Sequence, residues 1–182
     1  MQGLVVTRMA APNDAVRLLI GELDDVLSAE YPPENRHGLP LEAIFQPHVR
    51  FFIATLDGAP VGCGDGAPVG CGGVALFVGF AEVKRMYVRP AARGQGIAQA
   101  ILARLEAETS AANLPVLRLE TGDKQTDALR LYRGYGFTDC APFGDYAALP
   151  RHSIAASMFL QRLIARDMAD AHPSPSGSRS TP

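Results

Sequence analysis

The stretch Arg93-Gly94-Gln95-Gly96-Ile97-Ala98 lies between a strand and a helix, and its reading decides the rest of the chain. Upstream, Glu82 to Val88 is rich in Val, Met and Tyr and predicts a strand. Pro90 ends it, because proline has no ladder donor. Downstream, Ile97, Ile101, Leu102 and Leu105 recur at helical spacing, with Gln95, Gln99, Arg104 and Glu106 on the other face. The two glycines therefore fall where the chain enters a helix. There the first amide N–H groups lack intrahelical partners and the dipole favours an anion. Without a Cβ, Gly94 and Gly96 let a phosphate approach the backbone. The stretch reads as a pyrophosphate cradle.

What the loop lacks narrows the ligand. It has no Gly-Lys-Ser/Thr of a Walker loop, and Gln99 stands where a dinucleotide fingerprint needs a third small residue. Gly62-Cys63-Gly64-Asp65-Gly66-Ala67 and Gly70-Cys71-Gly72-Gly73-Val74-Ala75 do have the Gly-x-Gly-x-x-Ala spacing of a nucleotide-dependent oxidoreductase. The second copy runs into Val74-Ala75-Leu76-Phe77-Val78, a strand and not a phosphate-binding helix. What remains, Arg93-x-x-Gly96-x-Ala98, resembles the acyl-CoA pyrophosphate loop of the GNAT superfamily of N-acetyltransferases. The resemblance extends to Glu82-Val83-Lys84-Arg85-Met86-Tyr87-Val88 before the loop. It extends also to Ala128-Leu129-Arg130-Leu131-Tyr132-Arg133-Gly134-Tyr135-Gly136-Phe137 after it, so the motif-bearing part runs from Ala81 to Phe137.

Composition sets the outer bounds. At 182 residues, 47% hydrophobic and 20% charged, the chain suits one globular domain with a substantial core. A net charge of -2 gives no reason to expect nucleic acid, and the run Lys84, Arg85, Arg89 and Arg93 suits a phosphorylated ligand better. No apolar run approaches the ~18–20 residues of a membrane span, and the N-terminus lacks a signal-peptide pattern. Cys63, Cys71 and Cys140 are odd in number and unclustered, which predicts reduced thiols and a cytoplasmic protein. His37, His48, His152 and His172 are scattered, so no zinc or other metal site is expected.

Element by element, Leu4 to Arg8 predicts a short strand, and Asn13 caps a helix with Val16, Leu19, Ile20, Leu23 and Leu27 on one stripe. Tyr31 to Gly38 is a loop with two prolines, followed by a brief helix at Leu41 to Phe45. Strands follow at Val49–Leu56, Val69–Phe77 and Glu82–Val88, with Gly79 in a turn. After the long helix come a strand at Val116–Glu120 and a helix from Thr126 to Gly136, where glycine offers a left-handed cap. Strands at Phe137–Ala141 and Ser153–Leu160 close the sheet, and residues 166–182 read as a flexible Pro/Ser-rich tail. This order predicts an α/β domain over residues 1–165 with a mixed sheet flanked by helices. The GNAT resemblance implies about seven mostly antiparallel strands, with central parallel strands splayed to admit pantetheine.

The resemblance also implies the activity: transfer of an acetyl group from acetyl-CoA to a primary amine by direct attack in a ternary complex. The acceptor is either a small metabolite, for which Arg36 could clamp a carboxylate, or a protein N-terminus or lysine. A non-catalytic acyl-CoA sensor would use the same cradle without turnover. The Arg93, Gly94, Gln95, Gly96, Ile97 and Ala98 amides would hold the pyrophosphate, and the Met86–Tyr87–Val88 backbone the pantetheine, with Val88 N–H as oxyanion donor. Tyr132 takes the place of the acid for the leaving sulfur, or else is a core aromatic. Glu82 takes the place of the base, but Lys84 shares its face and an ion pair competes with that role; Glu120 or a water chain is the alternative. Tyr31, Arg36, His37, Phe143 and Tyr146, on two loops, would wall the acceptor side of a monomer or homodimer.

One feature has no counterpart in the family. Asp57-Gly58-Ala59-Pro60-Val61-Gly62-Cys63-Gly64 recurs unchanged as Asp65-Gly66-Ala67-Pro68-Val69-Gly70-Cys71-Gly72. The repeat is eight residues, an even number, so slipping between copies keeps every side chain on its own face. Continuity with Gly73 to Phe77 predicts that the second copy joins the strand.

Overall fold

A computed structural model describes residues 3–56 and 67–165. The chain forms β1 (Leu4–Met9), α1 (Asp14–Glu30), β2 (Val49–Leu56), β3 (Ala67–Phe77) and β4 (Phe80–Val88). It continues through α2 (Ile97–Ala111), β5 (Val116–Gly122), α3 (Thr126–Gly134), β6 (Thr138–Asp139) and β7 (Ser157–Leu163). The seven strands make one sheet in the order β1-β2-β3-β4-β5-β7-β6. Of its pairings only β4 with β5 is parallel, the place where a helical crossover is required.

Alternation along β2 builds both cores. Phe51 and Ile53 face α1, meeting Val16, Leu19, Ile20 and Leu23. Phe52 and Ala54 face α2, meeting Ile97, Ile101, Leu102 and Leu105. A central strand covered on both faces reads as a continuous apolar run. Asn13 caps α1 as expected, its Oδ1 accepting from the Val16 N–H at 2.9 Å. Gly136 has φ +96, two residues beyond the end of α3.

Ala67 to Gly72 of the second copy enter the strand: Leu56 pairs Ala67, Ala54 pairs Gly70, and Ile53 pairs Cys71. Pro68 stands beside a register shift, where its missing donor is tolerated. Glycine is required here by contact, since a Cβ at Gly72 would meet Ile101 Cγ2 at 2.8 Å and Met86 Sδ at 2.9 Å. The oxidoreductase-like Gly70 to Ala75 therefore lies wholly inside β3. The first copy, and the tail at 166–182, lie outside the described residues.

Elsewhere the elements differ from expectation. Leu41–Phe45 is a 3-10 turn, and Pro33–Asn35 in the expected loop is another, with proline at its first position where no N–H is needed. The strand expected at Phe137–Ala141 shrinks to Thr138–Asp139, because Pro142 follows at the sheet edge. The last strand begins at Ser157 rather than Ser153: turn bonds from Ser153 N–H to Pro150 and from Ser157 N–H to Ile154 occupy the segment before it.

Two features of β4 place the site. Its pairing with β5 covers only Ala81 with Leu117 and Glu82 with Arg118, after which the strands diverge. A bulge then falls at Arg85, whose φ is +54, with a register shift between Cys71 and Gly73 on β3.

Candidate active site

The divergence of β4 and β5 leaves a cavity of about 120 Å³. Glu82, Lys84 and Met86 reach it from β4, Glu120 from β5, Tyr132 from α3, and Tyr31, Arg36 and His37 from the loop after α1. Tyr146 closes it from a 3-10 turn at Gly144–Ala148. Residues remote in sequence meet because the chain crosses this one opening from five directions.

Glu82 is the most constrained of them. Its Oε1 accepts from Lys84 Nζ at 2.5 Å and from the Tyr146 hydroxyl at 3.0 Å, and Lys84 Nζ also reaches that hydroxyl at 3.0 Å. All three groups are buried or nearly so, with Glu82 at 4% exposure. Burial, followed by the Glu82 and Glu120 charges, pushes the Tyr146 phenol far above its ordinary range, so it stays a donor. The ion pair expected as the competing reading of Glu82 is thus present, and it is tied down by a tyrosine that was expected to touch substrate.

Glu120 is held more loosely. Its Oε1 accepts from the Ser157 hydroxyl at 2.5 Å. Burial raises the affinity of its carboxyl for a proton above the usual range, against the opposing Ser157 bond and the nearby His37 and Lys84. A carboxylate whose proton affinity is raised takes up a proton more readily than an ordinary one.

Tyr132 has its ring edge-on to Phe137 at 5.8 Å and belongs to the main core. It nonetheless lines the cavity, and its hydroxyl makes none of the bonds that fix Tyr31, Tyr135 and Tyr146. Burial, and secondarily Glu120, raises this phenol well above its usual value, so it keeps its proton at neutral pH.

Of the residues expected to wall the acceptor side, Tyr31, Arg36, His37 and Tyr146 line the cavity and Phe143 does not. The Tyr31 hydroxyl accepts from Lys124 N–H at 2.6 Å, bolting the end of α1 to the turn before α3. His37 Nε2 meets the Ser153 carbonyl at 2.9 Å, so that nitrogen donates and the ring anchors the loop. Arg36 lines the cavity and is exposed. Phe143 does not line it. Its ring lies beneath Tyr146, against Phe80 and Phe159, with the Arg118 guanidinium 5.3 Å above it. Asn35, Lys84 and Ser157 belong to the site and were not among the expected site residues; only the Glu82-x-Lys84 alternation signalled one of them.

At the other end of β4 lies the glycine turn expected to act as the cradle. The Val69–Arg89 ladder bond, at 2.9 Å, turns the intervening Val88 N–H away from β3, toward the opening. Met86 lines the cavity, whereas the Tyr87 side chain packs in the α1 core and only its backbone faces this region. Gly94 and Gly96 have φ of +75 and +77, and no side chain caps α2. The first helical bond runs from Ala100 N–H to Gly96, leaving the Ile97, Ala98 and Gln99 amides without helix partners. A Cβ at Gly94 would meet nothing within 4 Å, so the approach is open. These amides suit a pyrophosphate. Ile97 offers its amide alone, its side chain being in the core, and Arg93 donates to the Val88 carbonyl at 3.2 Å. Lys84, Arg85 and Arg89 are paired with Glu82, Asp24 and Glu22, so among the described residues of that basic run only Arg93 lacks a carboxylate partner.

Comparison with known proteins agrees with this geometry. The family model described as Acetyltransferase (GNAT) family matches residues 20–137. A relative from Azospirillum brasilense, named IAA acetyltransferase, is 41% identical over 162 residues, covering 89% of this chain and 99% of the relative. A Klebsiella pneumoniae structure assigned as an acyl-CoA N-acyltransferase superposes with TM-score 0.67 at 28% identity, covering 89% of this chain and 98% of its own. N-acetylglutamate synthase from Neisseria gonorrhoeae, solved with coenzyme A and N-acetyl-glutamate, has a TM-score of 0.63 over 89% of this chain and 36% of its own. At 16% identity that likeness concerns the fold alone. With the splayed strands, the uncapped glycine turn and the match of 20–137 in agreement, the chain belongs to the GNAT family of acetyltransferases, enzymes of acyl transfer from acyl-CoA.

Proposed function

We propose that the chain moves an acetyl group from acetyl-CoA to the primary amine of a small molecule, by direct attack with both substrates bound. The observation that carries this reading is that Glu120 and Tyr132 line one cavity at the parting of β4 and β5. Acetyl-CoA supplies the thioester carbonyl, held from the cradle of Gly94 to Ala98. The Val88 N–H receives the developing oxyanion. Glu120, directly or through one water, takes the proton that the amine nitrogen loses as its lone pair forms the C–N bond. The C–S electron pair leaves with sulfur, which takes the Tyr132 proton. Glu82, already paired with Lys84 and Tyr146, holds the wall of the cavity in place rather than acting as base. The relative named IAA acetyltransferase supports a small-molecule acceptor.

The test is a thiol-release assay with acetyl-CoA and a panel of amines, amino acids and peptides. Turnover with an amine is expected. Tight acetyl-CoA binding with no thiol release from any member would return the protein to a sensor.

A further inference from the structure

The cavity at the splay has room for the reacting end of an acceptor and little else. It adjoins a larger one of about 480 Å³, and Leu27, Arg36, Gly38 and Arg85 line both. The larger cavity has an apolar side, from Ile20 and Leu27 of α1 and from Pro33, Pro40 and Leu41 after it, and a charged side, from Asp24, Arg36 and Arg85. Two guanidinium groups stand at the junction, and they differ. Arg85 is engaged, with Nε on the Leu39 carbonyl at 2.6 Å and Nη1 on Asp24. Arg36 is exposed and has no carboxylate or carbonyl partner among the described residues. Beside it, Asn35 lines the smaller cavity with its Oδ1 buried and unpartnered.

Each of these features asks for a definite group. A guanidinium without a carboxylate or carbonyl partner at the mouth of the recess selects a carboxylate, which it can hold bidentately. A buried oxygen without a donor selects an N–H, since leaving it unpaired forfeits a hydrogen bond. The apolar side of the recess selects a hydrocarbon body. A lysine side chain within a protein brings the amine and no carboxylate beside it. A free α-amino acid carries all three groups on one carbon.

Resting on the transfer reaction proposed above, we infer that the acceptor is a free amino acid with an apolar side chain. Its carboxylate lies on Arg36, its amine faces Glu120 with an N–H toward Asn35 Oδ1, and its side chain lies between α1 and the Pro33–Leu41 segment.

The experiment compares leucine and phenylalanine with their amides, their decarboxylated amines and a lysine peptide in the thiol-release assay. The amino acids should exceed the amides and amines by about tenfold or more in kcat/KM, the worth of a charge-assisted pair. Glycine should be a poorer acceptor than leucine. Arg36→Gln should raise KM for leucine by about tenfold, leave kcat unchanged and leave the amines within about twofold, with Arg36→Lys recovering part of the loss. Calorimetry of leucine binding to the CoA-saturated protein reads the same preference without turnover. Equal use of leucine and its decarboxylated amine by the wild type overturns the inference, as does release with the peptide and not with leucine. Release with none of the panel overturns the transferase reading instead.

Discussion

The two ends of the opening between β4 and β5 are built from different materials. The cradle end is backbone: the Val88, Ile97 and Ala98 amides, presented by a bulged strand, two glycines in the left-handed region and an uncapped helix. The acceptor end is side chains, Glu82, Lys84, Glu120, Tyr132 and Tyr146, drawn from four separate segments. On the proposed reading, a cradle made of backbone amides tolerates side-chain drift, whereas the side-chain end can be rebuilt for a new acceptor without touching it.

The sharpest way to test that division is at Glu120. Glu120→Gln should lower kcat by about 10³-fold while acetyl-CoA affinity is retained. The same variant has a stability signature. Burial raises the native proton affinity of Glu120, so its contribution is favourable below the unfolded carboxyl value of about 4.3 and is lost as pH rises through the native one. Thermal melts should therefore show Glu120→Gln at least as stable as wild type at pH 7, the difference closing toward pH 4. A marked loss of stability at pH 7 would make Glu120 a structural acid.

Tyr132→Phe comes next, with a loss of about 10²-fold in kcat and unchanged acetyl-CoA binding. Intact turnover would return Tyr132 to the core with Phe137. On the cradle side, Gly96→Val should weaken CoA binding by about tenfold or more in calorimetry. A fold penalty of about 1–2 kcal/mol accompanies it, because a β-branched residue is strained at φ +77. Normal affinity in that variant would move the pyrophosphate elsewhere.

Glu82→Gln should change kcat only a fewfold yet cost about 3 kcal/mol of stability, because Lys84 is left buried without its counter-charge. A large rate loss recovered at high pH would restore Glu82 as base.

The smallest effect is expected from deleting Asp57 to Gly64. Leu56 pairs Ala67, so the deletion joins β2 to β3 through Asp65-Gly66 alone, a two-residue connection of the type hairpins favour. Activity should be unchanged and the melting temperature equal or higher. A protein that fails to fold would show that the first copy is needed.

The same division explains what could be read from the sequence. Glycine and proline punctuate locally, so Pro90, Gly94 and Gly96 announce the cradle within a few residues. The order of strands and helices is equally local in origin. The acceptor end is not: Tyr146 reaches Lys84 across 62 positions, and no local pattern predicts that bond. Phe143 and Tyr146 share one Pro/Gly-bounded segment, and only packing on Phe80 and Phe159 puts the first beneath the cavity and the second in its wall. The late start of β7 has a similar cause, since the turns at Pro150 and Ile154 leave no periodic signal.

The narrow pairing of β4 with β5 has a consequence for how the molecule opens. Backbone bonding between β1–β4 and β5–β7 rests on two residue pairs, Ala81 with Leu117 and Glu82 with Arg118. With so few ladder bonds, the amides of this seam should exchange hydrogen before those of the strands on either side of it. On the proposed reading, an acyl-CoA lying along the Met86 to Val88 edge would act as the strand segment missing from that join. Ligand held at 100 times its Kd adds about 2.7 kcal/mol against opening, so the protein is most completely folded when it is working.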